Sequence, residues 1–400
     1  MIFSKIGNLP DKFMSSFSRS VVIDLGTANT VIWTDDNKLI NEPSVVAIQE
    51  ADGESKVLAV GGYAKQMLGR TPKNTRAVRP MKDGVIGDFN IAKAMIKHFI
   101  ERTDAHKSLI APRVLIAVPA EATEVERKAI IDAAYSAGAR SVFLLDEPMA
   151  AAIGAGLPVG APQGSMVVDI GGGTTEIAVI SLGGIVKAAS CKFAGDKMDT
   201  CIMEYIRDKF QMTIGEYTAE RIKILIGAAI LPERAEVEEV VNERKIVENL
   251  GYSNIDEGFT LEDFESVDLY MRKNTNNYSD FELAKNKMLK IRGFDRAATR
   301  PREIELFSSQ IICSLRPVFD EIIKAIRNVL EDTNPEVSSD IANSGIMLSG
   351  GGALIPYIER LFSEELGLKV YTAQDPLLCV IKGSVHVLNH FHDYKKILNH

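Results

Sequence analysis

The sequence predicts an α/β protein built from two related halves, and three observations point there. The run Val22 to Thr30 (VIDLGTANT) is answered by Val168 to Glu176 (VDIGGGTTE). In each copy an apolar β-branched run meets an acid, then a glycine-rich turn, then a second apolar run (Val31 to Trp33; Ile177 to Ile180), which is the pattern of a β-hairpin. Apolar strands alternate with amphipathic helical stretches in the same order in both halves. Finally, 400 residues exceed one ordinary compact core, which favours two domains or two domains with inserts.

Along the first half, Val21 to Ile48 reads as strand, turn, strand, turn, strand, punctuated by Asn41 to Ser44. Short strands, loops and helical stretches fill Val57 to Val85. Helical spacing covers Ile91 to Thr103, and Leu109 and Ile110 precede Pro112 and a buried strand, Val114 to Val118. Glu121 to Ala137 is an amphipathic helix, Ser141 to Leu145 a strand, and Glu147 to Ile153 a small-residue helix suited to close packing. Gly and Pro residues between Gly154 and Gly164 mark the seam between halves.

The second half repeats the order with the Asp169 hairpin, a strand around Ile185 to Lys192 and a helix from about Asp196 to Phe210. Residues 231 to 300 are charge-rich with polar turns and read as a mostly helical insertion. Regular patterning resumes with a helix from Phe307 to Leu330, a strand from Gly345 to Leu348, a glycine turn and a helix from Pro356. The strand Lys369 to Tyr371 and a helix from about Gly383 close the chain.

A net charge of -8 argues against a dedicated nucleic-acid binder. Cys191, Cys201, Cys313 and Cys379 form no CxxC pair and no metal-ligand spacing, so they read as buried free thiols in a reducing compartment. No apolar run has the ~20 residues of a membrane span and no cleavable signal is evident, so a cytoplasmic location is expected. At the N-terminus, Ile2, Phe3, Ile6, Leu9, Phe13, Met14 and Phe17 fall within roughly 140° of a helical wheel, opposite Lys5, Lys12 and Arg19. Such a helix can lie in a membrane interface or dock on the protein's own core, and Pro10 should break or kink it.

The chemistry sits in the repeat. Turns rich in Gly, Thr and Asn can aim several backbone N–H groups at one anion, with glycine supplying left-handed conformations. Two facing turns would clamp a polyphosphate. Asp24 and Asp169, at the ends of their strands, could hold Mg2+ through its water shell, since that ion keeps several waters and prefers carboxylate and phosphate oxygens. Ser349 to Ala353 (SGGGA) is a third glycine turn, either a place where a nucleoside approaches backbone or a plain entry into the next helix. Neither a Walker A sequence nor GxGxxG occurs.

Together these turns, with Leu145 to Pro148 (LDEP) and its alanine-rich helix, resemble the actin, heat-shock chaperone and sugar kinase ATPase superfamily. Within it the chain is similar to the MreB family of bacterial actins. The residues that carry the likeness are Asp24 to Thr30, Asn41 to Val46, Ala64 to Pro72, Arg79 to Val85, Glu147 to Val159 and Ser165 to Glu176.

The resemblance implies an actin-like fold: two related domains, each with a five-stranded mixed sheet flanked by helices and a smaller inserted subdomain. Boundaries would be a membrane-binding helix at 1–18, domain I at 19–160 with its subdomain at about 47–85, domain II at 161–385 with its subdomain at about 200–310, and a C-terminal helix or tail at 386–400. It implies an ATP site in which Gly26, Thr27, Ala28, Asn29, Gly171, Gly172 and Gly173 cradle phosphates and Gly195 and Asp196 lie near ribose or phosphates. Glu220, Lys223, Gly351, Gly352 and Ala353 would flank the nucleoside, and Glu126 with Thr174 would position the attacking water. Such a site works by orientation and charge neutralisation.

The same resemblance implies membrane attachment through the N-terminal helix and through a small hydrophobic loop corresponding to Leu109 and Ile110. The expected function is an ATPase whose filaments, bound to the inner face of the cell membrane, organise cell-wall synthesis and rod shape with elongation proteins. A specialised bacterial actin that positions an organelle or plasmid shares most of these motifs. A small-molecule kinase would further need a general-base Asp facing a substrate pocket. Residues 231–300 depart from the family pattern, as a surface insertion or as an altered lateral contact.

Overall fold

The computed structural model describes residues 18–36, 38–51, 54–82, 84–103, 110–231 and 286–398. The proposed membrane helix with Ile2, Phe3, Ile6, Leu9, Phe13 and Phe17, as well as Leu109 and residues 232–285, lie outside these. The described residues divide into two compact units, one within Met1–Gly195, Lys324–Ala353 and Leu368–His400, the other within Asp196–Ile323 and Leu354–Gly367.

The first unit contains two five-stranded sheets of the same topology. One joins β1 (Ser18–Leu25), β2 (Asn29–Thr34), β3 (Leu39–Pro43), β9 (Ile110–Val118) and β10 (Ser141–Asp146) in the order β10-β9-β1-β2-β3. The other joins β11 (Ser165–Ile170), β12 (Thr175–Ser181), β13 (Gly184–Cys191), β17 (Ile346–Ser349) and β18 (Val370–Thr372) in the order β13-β12-β11-β17-β18. In each, the strand bearing the acid is central, antiparallel to its hairpin partner on one side and parallel to a strand on the other. The duplicated motif is thus a duplicated sheet, as expected.

Central strands read as continuous apolar runs because both of their faces are covered. Val21, Ile23 and Leu25 point into a core with Met95, Ile96 and Phe99 of α2 (Phe89–Arg102) and Ile130 and Ala133 of α3 (Glu124–Ser136). Val22 points the other way, into a core formed with Met149 to Ala152 of α4 (Glu147–Gly154), with Val387 and Leu388 of α10 (Cys379–Asn389), and with Val167, Ala178 and Ile180 of the second sheet. The α4 and α10 pair therefore lies in a core shared by both sheets. Their backbones nearly touch: a Cβ on Gly154 would fall 1.9 Å from the Cys379 carbonyl, and one on Gly383 1.9 Å from that of Ala150. That is why the small-residue run in α4 was legible as a packing helix.

A small three-stranded sheet in the order β5-β4-β6 joins β4 (Val46–Ala51), β5 (Glu54–Val60) and β6 (Thr75–Val78) beside α1 (Gly62–Gln66), and β7 (Met81–Lys82) pairs with β8 (Val85–Ile86). The unit also holds α8 (Pro335–Ser344) and, after α10, α11 (Phe391–Tyr394).

The second unit packs α5 (Gly195–Phe210), α6 (Glu216–Ile226), α7 (Ser308–Glu331) as far as Ile323, and α9 (Ile358–Leu366) with a sheet of β14 (Met212–Thr213), β15 (Met288–Asp295) and β16 (Arg300–Phe307). Phe319 and Phe362 meet edge to face inside it, with ring centroids 6.3 Å apart.

Several expectations need correction. The end of the stretch read as helical, 231–300, forms strands: Leu289 and Ile291 are buried while Lys290 and Arg292 are exposed, a period of two that the surrounding charge obscured. The helix expected from Pro356 begins at Ile358 after Tyr357 at φ 65°, and the last long helix begins at Cys379, before Gly383. Ile110 opens β9 and pairs with Ser18, so it belongs to a sheet. Of the four free cysteines only Cys379 is buried, since Cys313 is exposed and Cys191 and Cys201 are half-buried.

Candidate functional site

Three glycine turns converge in the first unit at the ends of β1, β11 and β17. The first, Gly26 to Asn29, is pinned from below by Ser44, whose hydroxyl donates to Gly26 O (2.6 Å) and whose N–H donates to Ala28 O (2.9 Å). Gly171 N–H closes the second on Thr174 O (2.9 Å), and Gly195 N–H donates to Gly171 O (3.1 Å), bringing Gly195 to the turn. In the third, Gly350 N–H donates to Pro376 O (2.9 Å).

The turns touch. A Cβ on Gly172 would lie 2.5 Å from Ala28 Cβ, and one on Gly173 would lie 2.7 Å from Thr27 Oγ1. A Cβ on Gly352 would lie 2.2 Å from Ile170 Cγ2, and one on Gly350 2.5 Å from Asp169 Oδ1. The first two turns were expected to use glycine for left-handed backbone. That is corrected: Gly26, Gly171, Gly172 and Gly173 are absent from the positive-φ glycines, and it is close approach that excludes a side chain. Gly350 does have φ 80°. Its close approach to Asp169 and Ile170 places the third turn beside the second.

An acid cluster lies at this junction, with Asp169 and Glu176 buried and Asp24 and Glu147 half-buried. Asp24 is registered with Ala117 on β9, and Asp169 with Glu176 on β12 and Ser349 on β17. Burial, reinforced by the charge of Asp169, pushes the Asp24 carboxyl up to about 7. Burial raises Asp169 to about 6, against the hydrogen bond from Ser349. Burial likewise raises Glu176 to about 7, against the Ser190 hydroxyl, which donates to its Oε1 at 2.5 Å. Glu147, the first residue of α4, is pushed well above the usual carboxylate range by burial and then by Asp24, Glu176, Asp169 and Asp146. Neither Glu147 nor Glu176 was singled out from the sequence. The register of a hairpin, which sets Glu176 opposite Asp169 across its turn, was the available signal.

Asp169 is 8% exposed and Glu176 2%, yet Asp169 Oδ1 and Glu176 Oε2 have no hydrogen-bond partner. Orphaned buried carboxylate oxygens are costly. An all-oxygen, anionic set of this kind fits a hard divalent cation such as Mg2+. Among the described residues no three acidic, histidine or cysteine side chains close around one point, so the fit is to an ion that keeps its own waters.

Beside the second turn runs the loop from β9 to α3. A Cβ on Gly84 would lie 3.3 Å from both Pro119 Cγ and Thr174 Cγ2, and Gly84 N–H donates to Thr27 Oγ1 at 3.3 Å. Glu126 stands at the third position of α3, where it completes a capping box. Its Oε2 accepts from Thr123 N–H and Oγ1, each at 2.8 Å, and its own N–H donates to Thr123 Oγ1 at 3.3 Å. The cap occupies one carboxylate oxygen and leaves Oε1 outside it. The Thr-x-x-Glu spacing was readable in the sequence and was not used.

Asp196, Glu220 and Lys223 belong to the second unit. Asp196 lies in the first turn of α5, and Glu220 and Lys223 lie on α6. Lys223 Nζ meets Asp199 at 2.9 Å. Asp199 is raised to about 6 because burial outweighs the attraction of Lys223. Gly351, Gly352 and Ala353 form a short 3-10 turn after β17 in the first unit.

A family model described as MreB/Mbl protein matches residues 18–257 and 275–396, leaving 258–274 unmatched. That gap is shorter than the stretch 231–300 read as departing from the family. The chain is 44% identical over 376 residues, 93% of its length and 94% of the relative's, to the cell shape-determining protein MreB of Escherichia coli strain K12. It matches the crystal structure of MreB5 of Spiroplasma citri bound to ADP with a TM-score of 0.77 and 32% identity, covering 95% of this chain and 98% of that one. The MamK double helical filament matches with a TM-score of 0.69 at 17% identity, over 93% and 99% of the two chains, which is a likeness of fold. The fold is the actin-like one.

Proposed function

The chain belongs to the MreB/Mbl family, and on that premise we propose that it is a cytoskeletal ATPase whose filaments assemble on the inner face of the cell membrane and organise cell-wall synthesis and rod shape. The observation that carries this reading is the meeting of three glycine turns over an acid cluster. ADP in the related MreB5 structure supports a nucleotide as the occupant. Gly26 to Asn29 and Gly171 to Gly173 would hold the phosphates, with Gly195 and Asp196 near them. Gly351 to Ala353 would flank the nucleoside.

Mg2+, when bound with ATP, would neutralise charge on the phosphates and on Asp24 and Asp169. The chain's own residues supply orientation. Thr174 lies at the mouth of the second turn, and the uncapped Oε1 of Glu126 can accept a hydrogen bond from the attacking water. Little covalent chemistry falls to side chains in phosphoryl transfer. Hydrolysis would then set the filament's lifetime.

Partners in this reading are further copies of the chain, the membrane surface and elongation proteins. Membrane contact would run through the apolar arc of residues 1–18, with Leu109 as a second point. Negative-stain microscopy of the full chain with Mg2+-ATP and anionic liposomes tests both parts. Filaments on lipid, lost from lipid on deletion of residues 1–18, are expected. Liposomes bare in the presence of the intact chain, or pelleting with lipid undiminished by the deletion, would count against it.

A further inference from the structure

Arg127 follows Glu126 in α3 and turns its side chain back onto the loop before the helix. Its Nε donates to Ala122 O (3.1 Å), and its Nη2 reaches Ala120 O (3.1 Å), Pro119 O (3.3 Å) and Asp146 Oδ1 (2.7 Å). Asp146 stands at the N-cap of α4, but its side chain caps no helix N–H group and is committed to Arg127 instead. One guanidinium therefore ties three carbonyls of a single loop to the residue next to Glu147 in the acid cluster.

This placement is hard to explain by helix stability alone. A cation in the first turns of a helix opposes the macrodipole. The side chain is also largely buried, 18% exposed, with Nη1 lacking a partner. Its geometry suits another task. The planar fork of arginine fixes several acceptors in one plane, where an ammonium would hold them one at a time. The loop it fixes starts at Pro119, which lies around the same point as Thr174, and ends at Thr123, which grips Glu126.

We propose that Arg127 is a positioning residue for ATP hydrolysis: by fastening the Pro119–Ala122 loop to Asp146, it fixes the first turn of α3, and with it Glu126, relative to Thr174. The inference rests on the reading of Glu126 and Thr174 as the pair that orients water. Misplacing a reacting group by about 1 Å can cost on the order of 100-fold in rate. Nucleotide affinity, which depends on the glycine turns, should change little.

The test compares steady-state phosphate release and ATP affinity for the full-length chain and for Arg127→Gln, Arg127→Lys, Asp146→Asn and Glu126→Ala. Arg127→Gln should lower kcat about 10- to 100-fold with KM within about threefold of the parent, Arg127→Lys should recover only part, and Asp146→Asn should move kcat the same way. A kcat for Arg127→Gln within about twofold of the parent, beside a Glu126→Ala that has lost hydrolysis, overturns the inference and leaves the parent reading standing. Unchanged phosphate release in Glu126→Ala overturns the parent reading itself. Should Arg127→Gln fail to fold, Arg127→Lys and Asp146→Asn carry the decision: lowered kcat at steady KM in both supports the proposal, and parental kcat in both rejects it.

Discussion

Gly173 faces Thr27 so closely that a Cβ there would lie 2.7 Å from the Thr27 hydroxyl and 2.8 Å from its methyl group. Real Cβ atoms essentially never come that close to a neighbour, so an added side chain must displace Thr27 or the turn that carries it. Overpacking of this kind costs about 1–3 kcal/mol. If the strain is relieved by displacing the turns proposed to hold the phosphates, Gly173→Ala should weaken ATP binding by roughly ten- to hundredfold. Calorimetric titration of Mg2+-ATP checks this, and parental affinity would show that the contact does not shape the nucleotide site.

The acid cluster sets a pH dependence whose sign follows from its directions. Asp24, Asp169 and Glu176 hold protons in the folded chain up to about 7, 6 and 7, against ordinary values of 3.8, 3.8 and 4.5. The folded state thus binds more protons than the unfolded one over that window. The stability these groups contribute is complete below about pH 4 and is lost as pH rises through 6 to 7. In nucleotide-free protein, thermal midpoints should fall between pH 5.5 and 7.5, and Mg2+ should raise them more at 7.5 than at 5.5. Asp169→Asn should flatten the slope and shrink the Mg2+ effect. An equal Mg2+ shift at both pH values, or an unaltered slope in the variant, would argue that the cluster is not the cation site.

Much of this arrangement was legible in the chain. The two hairpins are local, and each repeats an apolar run, an acid and a glycine turn within about a dozen residues. The helix at Glu147 to Gly154 announced itself through its alanines. What escaped notice was long-range or overwritten. Glu147 and Glu176 look like ordinary carboxylates until the sheets bring them to Asp24 and Asp169. Arg127 reads as one more surface cation in an amphipathic helix. In β15 the alternation of Leu289 and Ile291 with Lys290 and Arg292 was present but sat in a charge-rich context that suggested helix. The glycines of the first two turns serve close approach, where left-handed backbone was expected, because a one-dimensional pattern cannot distinguish the two.

The contact between α4 and α10 should be intolerant of a single methyl group. A Cβ on Gly383 would lie 1.9 Å from Ala150 O and 2.8 Å from Gly154 N, so the helices must separate inside a core shared by both sheets. Gly383→Ala should lower stability by about 3 kcal/mol, at the upper end of overpacking effects. Urea midpoints measure it, and a loss well under 1 kcal/mol would mean that the helix pair slides apart easily.

In the second unit, Lys223 and Asp199 form a buried pair with side chains 15% and 10% exposed. Removing one partner strands the other, at a cost of about 3–5 kcal/mol for a fully buried pair. Lys223→Met should therefore destabilise more than Lys223→Met combined with Asp199→Asn, which leaves no stranded charge. Denaturation of the single and double variants decides it; additive losses would mean that the pair is not coupled.

Nucleotide control of assembly is tested most directly by ultracentrifugal pelleting of the full chain with Mg2+-ATP and without nucleotide, alongside Gly173→Ala. The account predicts that the parent pellets as filaments with Mg2+-ATP, stays largely in the supernatant without it, and loses this response in the variant. Equal pelleting with and without nucleotide, or a variant that responds like the parent, would contradict it.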